Sequence, residues 1–136
     1  MLGGDSVDLG RPRPGRRQVW FVFNTKCPIC AASVPEWNAA FDRLGRDSTV
    51  SVLGVSLDSE AITQAYVETN SLPFPVAILD DARDVSMYRI AGVPLTMVIN
   101  EMGRIGLVRP GRFTSAGADS LASVLSAQRS TDDAGR

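Results

Sequence analysis

Cys27 and Cys30 are the only cysteines in 136 residues, and they frame the run Cys27-Pro28-Ile29-Cys30. Two intervening residues put both sulfurs within one helical turn. A disulfide between them can close and open with little backbone movement. Such a dithiol suits attack of a thiolate on another disulfide. The thiolate is the reactive species, and a helix N-terminus stabilises negative charge. Cys27, at the helix start, is therefore expected to be the exposed nucleophile. Cys30, one turn inward, is expected to be the resolving thiol. Pro28 suits the first helical turn, where its missing N–H costs nothing. Ile29 makes the loop between the sulfurs apolar. Lys26, the only lysine among 14 basic residues, stands directly before Cys27. Moving a cysteine from about 8.5 to about 7 takes roughly 2 kcal/mol. A helix terminus supplies about 0.3–1 kcal/mol when exposed and up to about 2 when partly buried, and an exposed ammonium about 1 at most, so the two together reach that sum only where the terminus is partly buried. A solvated charge is the plainer reading of Lys26.

The elements that must hold this pair are legible around it. Residues 18–23 form a continuous apolar run, too short for a helix and suited to a strand buried on both faces. Residues 28–44 carry Ile29, Val34, Trp37, Ala40, Phe41 and Leu44 at spacings of three and four, which predicts an amphipathic helix. Pro35 lies inside it and is expected to kink it. Residues 50–56 read as a second buried strand. Asp58-Ser59 is expected to cap a helix over 60–69 with Ile62, Ala65 and Tyr66 inward. A short strand follows at 76–79. Asp80 or Asp81 then starts a short helix through Met87-Tyr88-Arg89, which Gly92 ends. Residues 95–100 and 104–109 read as a hairpin joined by Glu101-Met102-Gly103. Thr114-Ser115 opens a last helix carrying Leu121, Val124 and Leu125, with fraying expected from Ser126. The order is β-α-β-α-β-α-β-β-α. Residues 1–17, rich in Gly, Pro and Arg, read as a flexible lead-in, 18–127 as the domain and 128–136 as a polar tail.

Composition narrows the chemistry. The chain is 44% hydrophobic and 21% charged, ordinary for one globular domain. A net charge of −1 gives no sign of a nucleic-acid or anionic-membrane partner. With no histidine, every Ser-His-Asp, Cys-His and His-ligated metal site is excluded. Two cysteines supply only half of a thiolate zinc site. No apolar run approaches the roughly 20 residues of a spanning helix, and no signal peptide is expected in residues 1–17. Asp80, Asp81 and Asp84 read as helix-start charges. Arg104, Arg109 and Arg112 read as an exposed strand edge, with a surface for an acidic partner as the second reading.

The element order, the Cys27–Cys30 turn and Gly92-Val93-Pro94 together resemble the thioredoxin fold, and within it the TlpA/ResA-like thiol–disulfide oxidoreductases. Residues 20–30 resemble that family's strand and redox turn. Pro35 stands eight residues after Cys27, where thioredoxins carry a helix proline. Residues 92–100 resemble the G-V-P-x-T-x-x-I-D segment, and Gly103-Arg104-Ile105 its continuation. The resemblance covers residues 18–127. It implies an α/β fold with a central mixed sheet flanked by helices and a helix–strand insertion at about 59–79. It also implies a cis Val93–Pro94 bond facing the cysteines, with Val93 and Pro94 holding the substrate chain. The chain departs from the pattern at three places. Lys26 stands for a tryptophan, Phe21 for a buried aspartate, and Ser33 for a glutamate. The branch's N-terminal hairpin is read as absent or cut away.

The activity implied is disulfide exchange with protein substrates through a mixed disulfide, as a reductase rather than an oxidase. Cys27 and Cys30 are catalytic; Lys26, Pro28, Ile29, Pro35 and Trp37 support the site. No cofactor or metal is implied. The implied partners are a protein disulfide and an upstream thiol donor, outside the cytoplasm, with any membrane anchor beyond this sequence. Three other readings stand beside it. A purely structural disulfide is disfavoured, since a bridge over two residues constrains little of the unfolded chain. A peroxiredoxin-like thiol peroxidase is hinted at by Thr25, but the pattern P-x-x-x-T-x-x-C is absent. A redox-inactive binding module, such as a copper carrier, would ordinarily add a histidine. Trp20 and Trp37 read most simply as core packing.

Overall fold

The computed structural model describes residues 16–134, with side chains as far as residue 126. Residues 1–15, most of the expected lead-in, lie outside the described residues. The elements are β1 (Arg17–Phe23), α1 (Pro28–Leu44), β2 (Val50–Ser56), α2 (Glu60–Asn70), β3 (Val76–Ile78), α3 (Ala82–Met87), β4 (Leu95–Ile99), β5 (Ile105–Pro110) and α4 (Ser115–Ala134). They follow the order expected from the sequence. One five-stranded sheet runs β3-β2-β1-β4-β5, parallel across β1, β2 and β3 and antiparallel at β4 and β5. The fold is α/β, a mixed sheet with helices on its faces.

β1 lies at the centre and is buried along its whole length. Its side chains alternate between two cores, as strand geometry requires. Val19, Phe21 and Phe23 point to the face covered by α1 and α4, where Trp37, Ala40, Leu121 and Leu125 meet them. Trp20 and Val22 point to the other face, with Leu53, Met97, Ile99 and Tyr88. The first face is aromatic: Phe21 stacks on Trp37 at 5.5 Å and meets Phe74 and Phe113 edge-on or tilted. Gly54 sits opposite Phe21 in the register. A Cβ there would lie 2.8 Å from Phe74 Cε2 and 3.2 Å from Phe23 Cε1, so only glycine leaves the rings their room.

Several expectations need correcting. Arg17 belongs to β1 rather than the lead-in, and its guanidinium donates to the Leu125 carbonyl at 2.8 Å. The inward face of α2 is Thr63, Tyr66 and Val67; Ile62 and Ala65 are exposed. Thr63 holds a core position because its hydroxyl shares a 2.7 Å hydrogen bond with that of Ser56. Ser59 is the N-cap residue of α2 but makes no side-chain cap bond. Asp58 does not cap α2 by a side-chain bond either. α3 stops at Met87 because Arg89 adopts a left-handed φ of 57°, three residues before Gly92. Pro35 lies inside α1, as expected, and the backbone of α4 continues past Ser126 to Ala134.

The sheet brings one end of every strand together. Phe23 and Ser56, the last residues of β1 and β2, are partners. Val22 pairs with Leu95, and Leu95 with Pro110. The turn carrying Cys27, the segment after β2, Pro94 and Gly111 therefore leave the sheet at a common edge. In open α/β sheets this edge, outside the carboxyl ends of the parallel strands, is where ligands bind.

Candidate active site

Cys27 is the N-cap residue of α1, with extended backbone, and Pro28 is the first helical residue. The Cys27 sulfur accepts the Cys30 N–H at 3.0 Å, in the place an N-cap hydroxyl or carboxylate usually takes. The two cysteines are joined as a disulfide with a Cα–Cα separation of 5.2 Å. Cys27 is half-buried and Cys30 fully buried, so only the outer sulfur is open to attack. The first turn of α1 holds no acidic residue, and no carboxylate there opposes a developing thiolate. Pro28 and Ile29 are exposed between the sulfurs, Ile29 at 52%.

The turn before Cys27 is pinned by polar contacts. Asn24 Oδ1 accepts the Lys26 N–H at 3.0 Å, a local turn that asparagine favours. Asp58 Oδ2 accepts both the N–H and the hydroxyl proton of Thr25, each at 2.7 Å. The Asp58 N–H in turn donates to Ser56 Oγ at 3.1 Å. A line of hydrogen bonds thus joins the redox turn to the end of β2 and to α2. The Lys26 side chain is exposed beside it.

The Val93–Pro94 bond is cis, as the resemblance implies. Val93 is half-buried and packs against both cores; Pro94 is buried. The Pro94 carbonyl accepts the Gly111 N–H at 3.0 Å, and Gly111 has the left-handed φ of 93° that suits glycine. Ser33, fully buried one turn beyond Cys30, donates its hydroxyl to the Ile29 carbonyl at 3.0 Å. The same oxygen accepts the Phe113 N–H at 3.1 Å. The segment 111–113 is therefore tied to the cis-proline loop and to the redox helix at once. Pro35 is exposed on α1, and Trp37 is wholly inside the aromatic core, away from the surface of the site.

The fold brings the turn at residues 24–30 and the Val93–Pro94 loop to one edge. Pro35 and Trp37 sit farther along α1, the first exposed and the second inside the aromatic core. Sequence reasoning missed the ties Thr25–Asp58, Ser33–Phe113 and Gly111–Pro94. The signal for Asn24 was present, an asparagine two residues before the turn's apex. The other three join residues distant in the chain and leave no local pattern. Among the described residues, no three His, Cys, Asp or Glu side chains group closely enough to hold a metal ion.

The chain matches known proteins over most of its length. The family model described as "AhpC/TSA family" matches residues 3–108. Sporulation thiol-disulfide oxidoreductase A of Bacillus subtilis is 23% identical over 115 residues, 82% of this chain and 69% of that protein. Thiol-disulfide oxidoreductase ResA of Halalkalibacterium halodurans is 28% identical over 114 residues, 83% of this chain and 64% of that protein. The chain thus spans about two thirds of the length of these curated relatives. The solved thioredoxin domain of a thiol-disulfide oxidoreductase from Bacteroides vulgatus superposes with a TM-score of 0.73 at 20% identity, covering 90% of this chain and 88% of that one. The fold is thioredoxin-like.

Proposed function

The chain belongs to the AhpC/TSA family, and from that premise we propose that it is a thiol–disulfide oxidoreductase working through Cys27 and Cys30. One observation carries the reading. The two sulfurs are bonded at the mouth of α1, the outer one accessible and the inner one enclosed. Two relatives whose names state this activity support it.

In the reductase direction, the Cys27 thiolate attacks one sulfur of a substrate disulfide, and the other sulfur leaves as a thiolate. The Cys30 thiolate then attacks the Cys27 sulfur of the mixed disulfide and expels the second substrate thiolate. The protein's dithiol is oxidised by two electrons and the substrate disulfide is reduced. An upstream dithiol must return the two electrons. The Cys30 N–H directed at the Cys27 sulfur, together with the start of α1, favours negative charge there. The substrate chain lies along Val93 and Pro94. Lys26, Pro28 and Ile29 form the rim it meets, while Pro35 and Trp37 stiffen the helix behind. The protein works outside the cytoplasm, the compartment that the resemblance implies.

The peroxidase reading finds no support in Thr25, whose hydroxyl proton is given to Asp58. The test is a redox titration of the Cys27–Cys30 pair by thiol trapping across a series of redox buffers. A potential near or below about −250 mV is expected for a reductant that needs a donor; one above about −200 mV would reverse the direction to oxidant or isomerase. Cys30→Ser should accumulate a mixed disulfide with substrate through Cys27. A pair that never closes its disulfide would overturn the reading in favour of a binding module.

A further inference from the structure

Beside the redox edge, a cavity of about 340 Å³ lies between β5 and the first turns of α4. Leu107, Phe113 and Leu121 give it an apolar floor, and Arg109 and Arg112 stand at its lining as exposed cations. Its wall is the segment 111–113, bonded to Pro94 through Gly111 and to α1 through Ser33. Thr96, two residues beyond Pro94 on β4, also lines it. A strand advances about 3.3 Å per residue, so the cavity is the next recess along from the place where the substrate chain would lie.

Among the described residues neither Arg109 nor Arg112 makes an ion pair, whereas Arg43 engages Asp119 at 2.7 Å and Arg46 engages Asp42 at 3.7 Å. Asp119, the acid of α4 nearest in sequence, is thus already held by α1. Arg104 stands apart, because it precedes the end of β5 where Ile105 pairs with Ile99, opposite the end that meets Pro94. Two guanidiniums over an apolar floor complement a carboxylate carried on an aliphatic stem.

We propose that this cavity is a subsite for an acidic residue of the protein substrate, a Glu or Asp about two or three residues from its reactive cysteine. The inference rests on the oxidoreductase reading and adds a preference among disulfides. Carboxylates at this position raise the encounter rate and fix the register of the substrate chain, while lysine there is repelled.

The test uses two disulfide-bonded peptides that differ only in Glu or Lys at that position, with reduced full-length protein and low salt. The neutral hydroxyethyl disulfide is run in parallel. Exchange with the Glu peptide should be about tenfold faster than with the Lys peptide, and the ratio should shrink in about 0.5 M salt. In the double variant Arg109→Glu/Arg112→Glu the order should invert. In Arg109→Gln/Arg112→Gln the ratio should approach one, which separates this pair from Lys26. Equal rates in the wild type, or a ratio that both variants leave unchanged, would overturn the subsite. Failure of the wild type to react even with hydroxyethyl disulfide would instead overturn the oxidoreductase reading, and the subsite with it.

Discussion

Ser33→Ala should destabilise the protein without touching either sulfur. The Ser33 oxygen makes two bonds, but only one has no substitute. The Ile29 carbonyl still receives the backbone N–H of residue 33 within α1, so the loss of the hydroxyl's donation there costs little. The Phe113 N–H has Ser33 Oγ as its acceptor at 3.1 Å, and both residues are buried, at 5% and 0% exposure. Removing the oxygen leaves a buried donor unpaired, which costs about 1–3 kcal/mol. At roughly 4 °C per kcal/mol for a domain of this length, the unfolding midpoint should fall by roughly 4–12 °C. Urea unfolding of the oxidised protein, followed by tryptophan fluorescence, measures it directly, since Trp37 lies in the core that α1 and Phe113 share. Because the tie also holds Gly111 against Pro94, amide exchange in segment 111–113 should quicken more than in β1. A loss under about 0.5 kcal/mol, with unchanged exchange at Phe113, would refute the reasoning. It would mean that this N–H finds another acceptor once the hydroxyl is gone.

Three further outcomes are expected. Asp58→Ala should cost about 1–3 kcal/mol in urea unfolding, since two donors of Thr25 lose their acceptor; Asp58→Asn, which keeps an oxygen, should cost less, and equal losses would count against the tie. Gly54→Ala should cost about 1–3 kcal/mol by driving a methyl against Phe74 and Phe23, and a neutral melting point would show that the rings give way. Tyr66 has a covered hydroxyl with no partner among the described residues, and burial raises its pKa above the ordinary tyrosine value of 10.0. Burial, and secondarily the Asp84 carboxylate, raise that of Tyr88 as well. A tyrosine whose folded pKa is raised contributes stability that is present below the unfolded value and is lost as pH rises through the folded one. Stability should therefore fall on the alkaline side of about pH 10. Tyr66→Phe should flatten that fall and leave stability near neutrality within about 0.5 kcal/mol; an unchanged alkaline limb in denaturation curves would refute its part.

The sequence carried the redox edge further than the periphery. The run at 18–23, Pro28 after Cys27 and the apolar spacing to Leu44 placed β1 and α1 within a residue of their observed ends, because a buried strand and an amphipathic helix write their burial into residue type. α2 was different. Its inward position went to Thr63 because a partner hydroxyl on Ser56 satisfies it, so counting apolar residues chose Ile62 and Ala65 instead. Arg89 ended α3 in a backbone region that its side chain does not advertise, while Gly92 offered a false stop. Ser33 was legible only as a departure from a family pattern; its work as a tie depends on Phe113, 80 residues later. Thr25 and Asp58 are likewise 33 residues apart. Contacts of that reach are set by how strands share an edge, and no local spacing encodes them.

The hydrogen bond from the Cys30 amide to the Cys27 sulfur also makes the backbone a witness to the chemistry. That proton faces the atom whose charge and bonding change at each step, from disulfide to thiolate to mixed disulfide. Its nuclear resonance should therefore move with the state of the sulfur, while amides on β1 stay where they are. One amide signal can serve as an internal gauge of the cycle, read in the unmodified protein without a dye, a tag or an added cysteine.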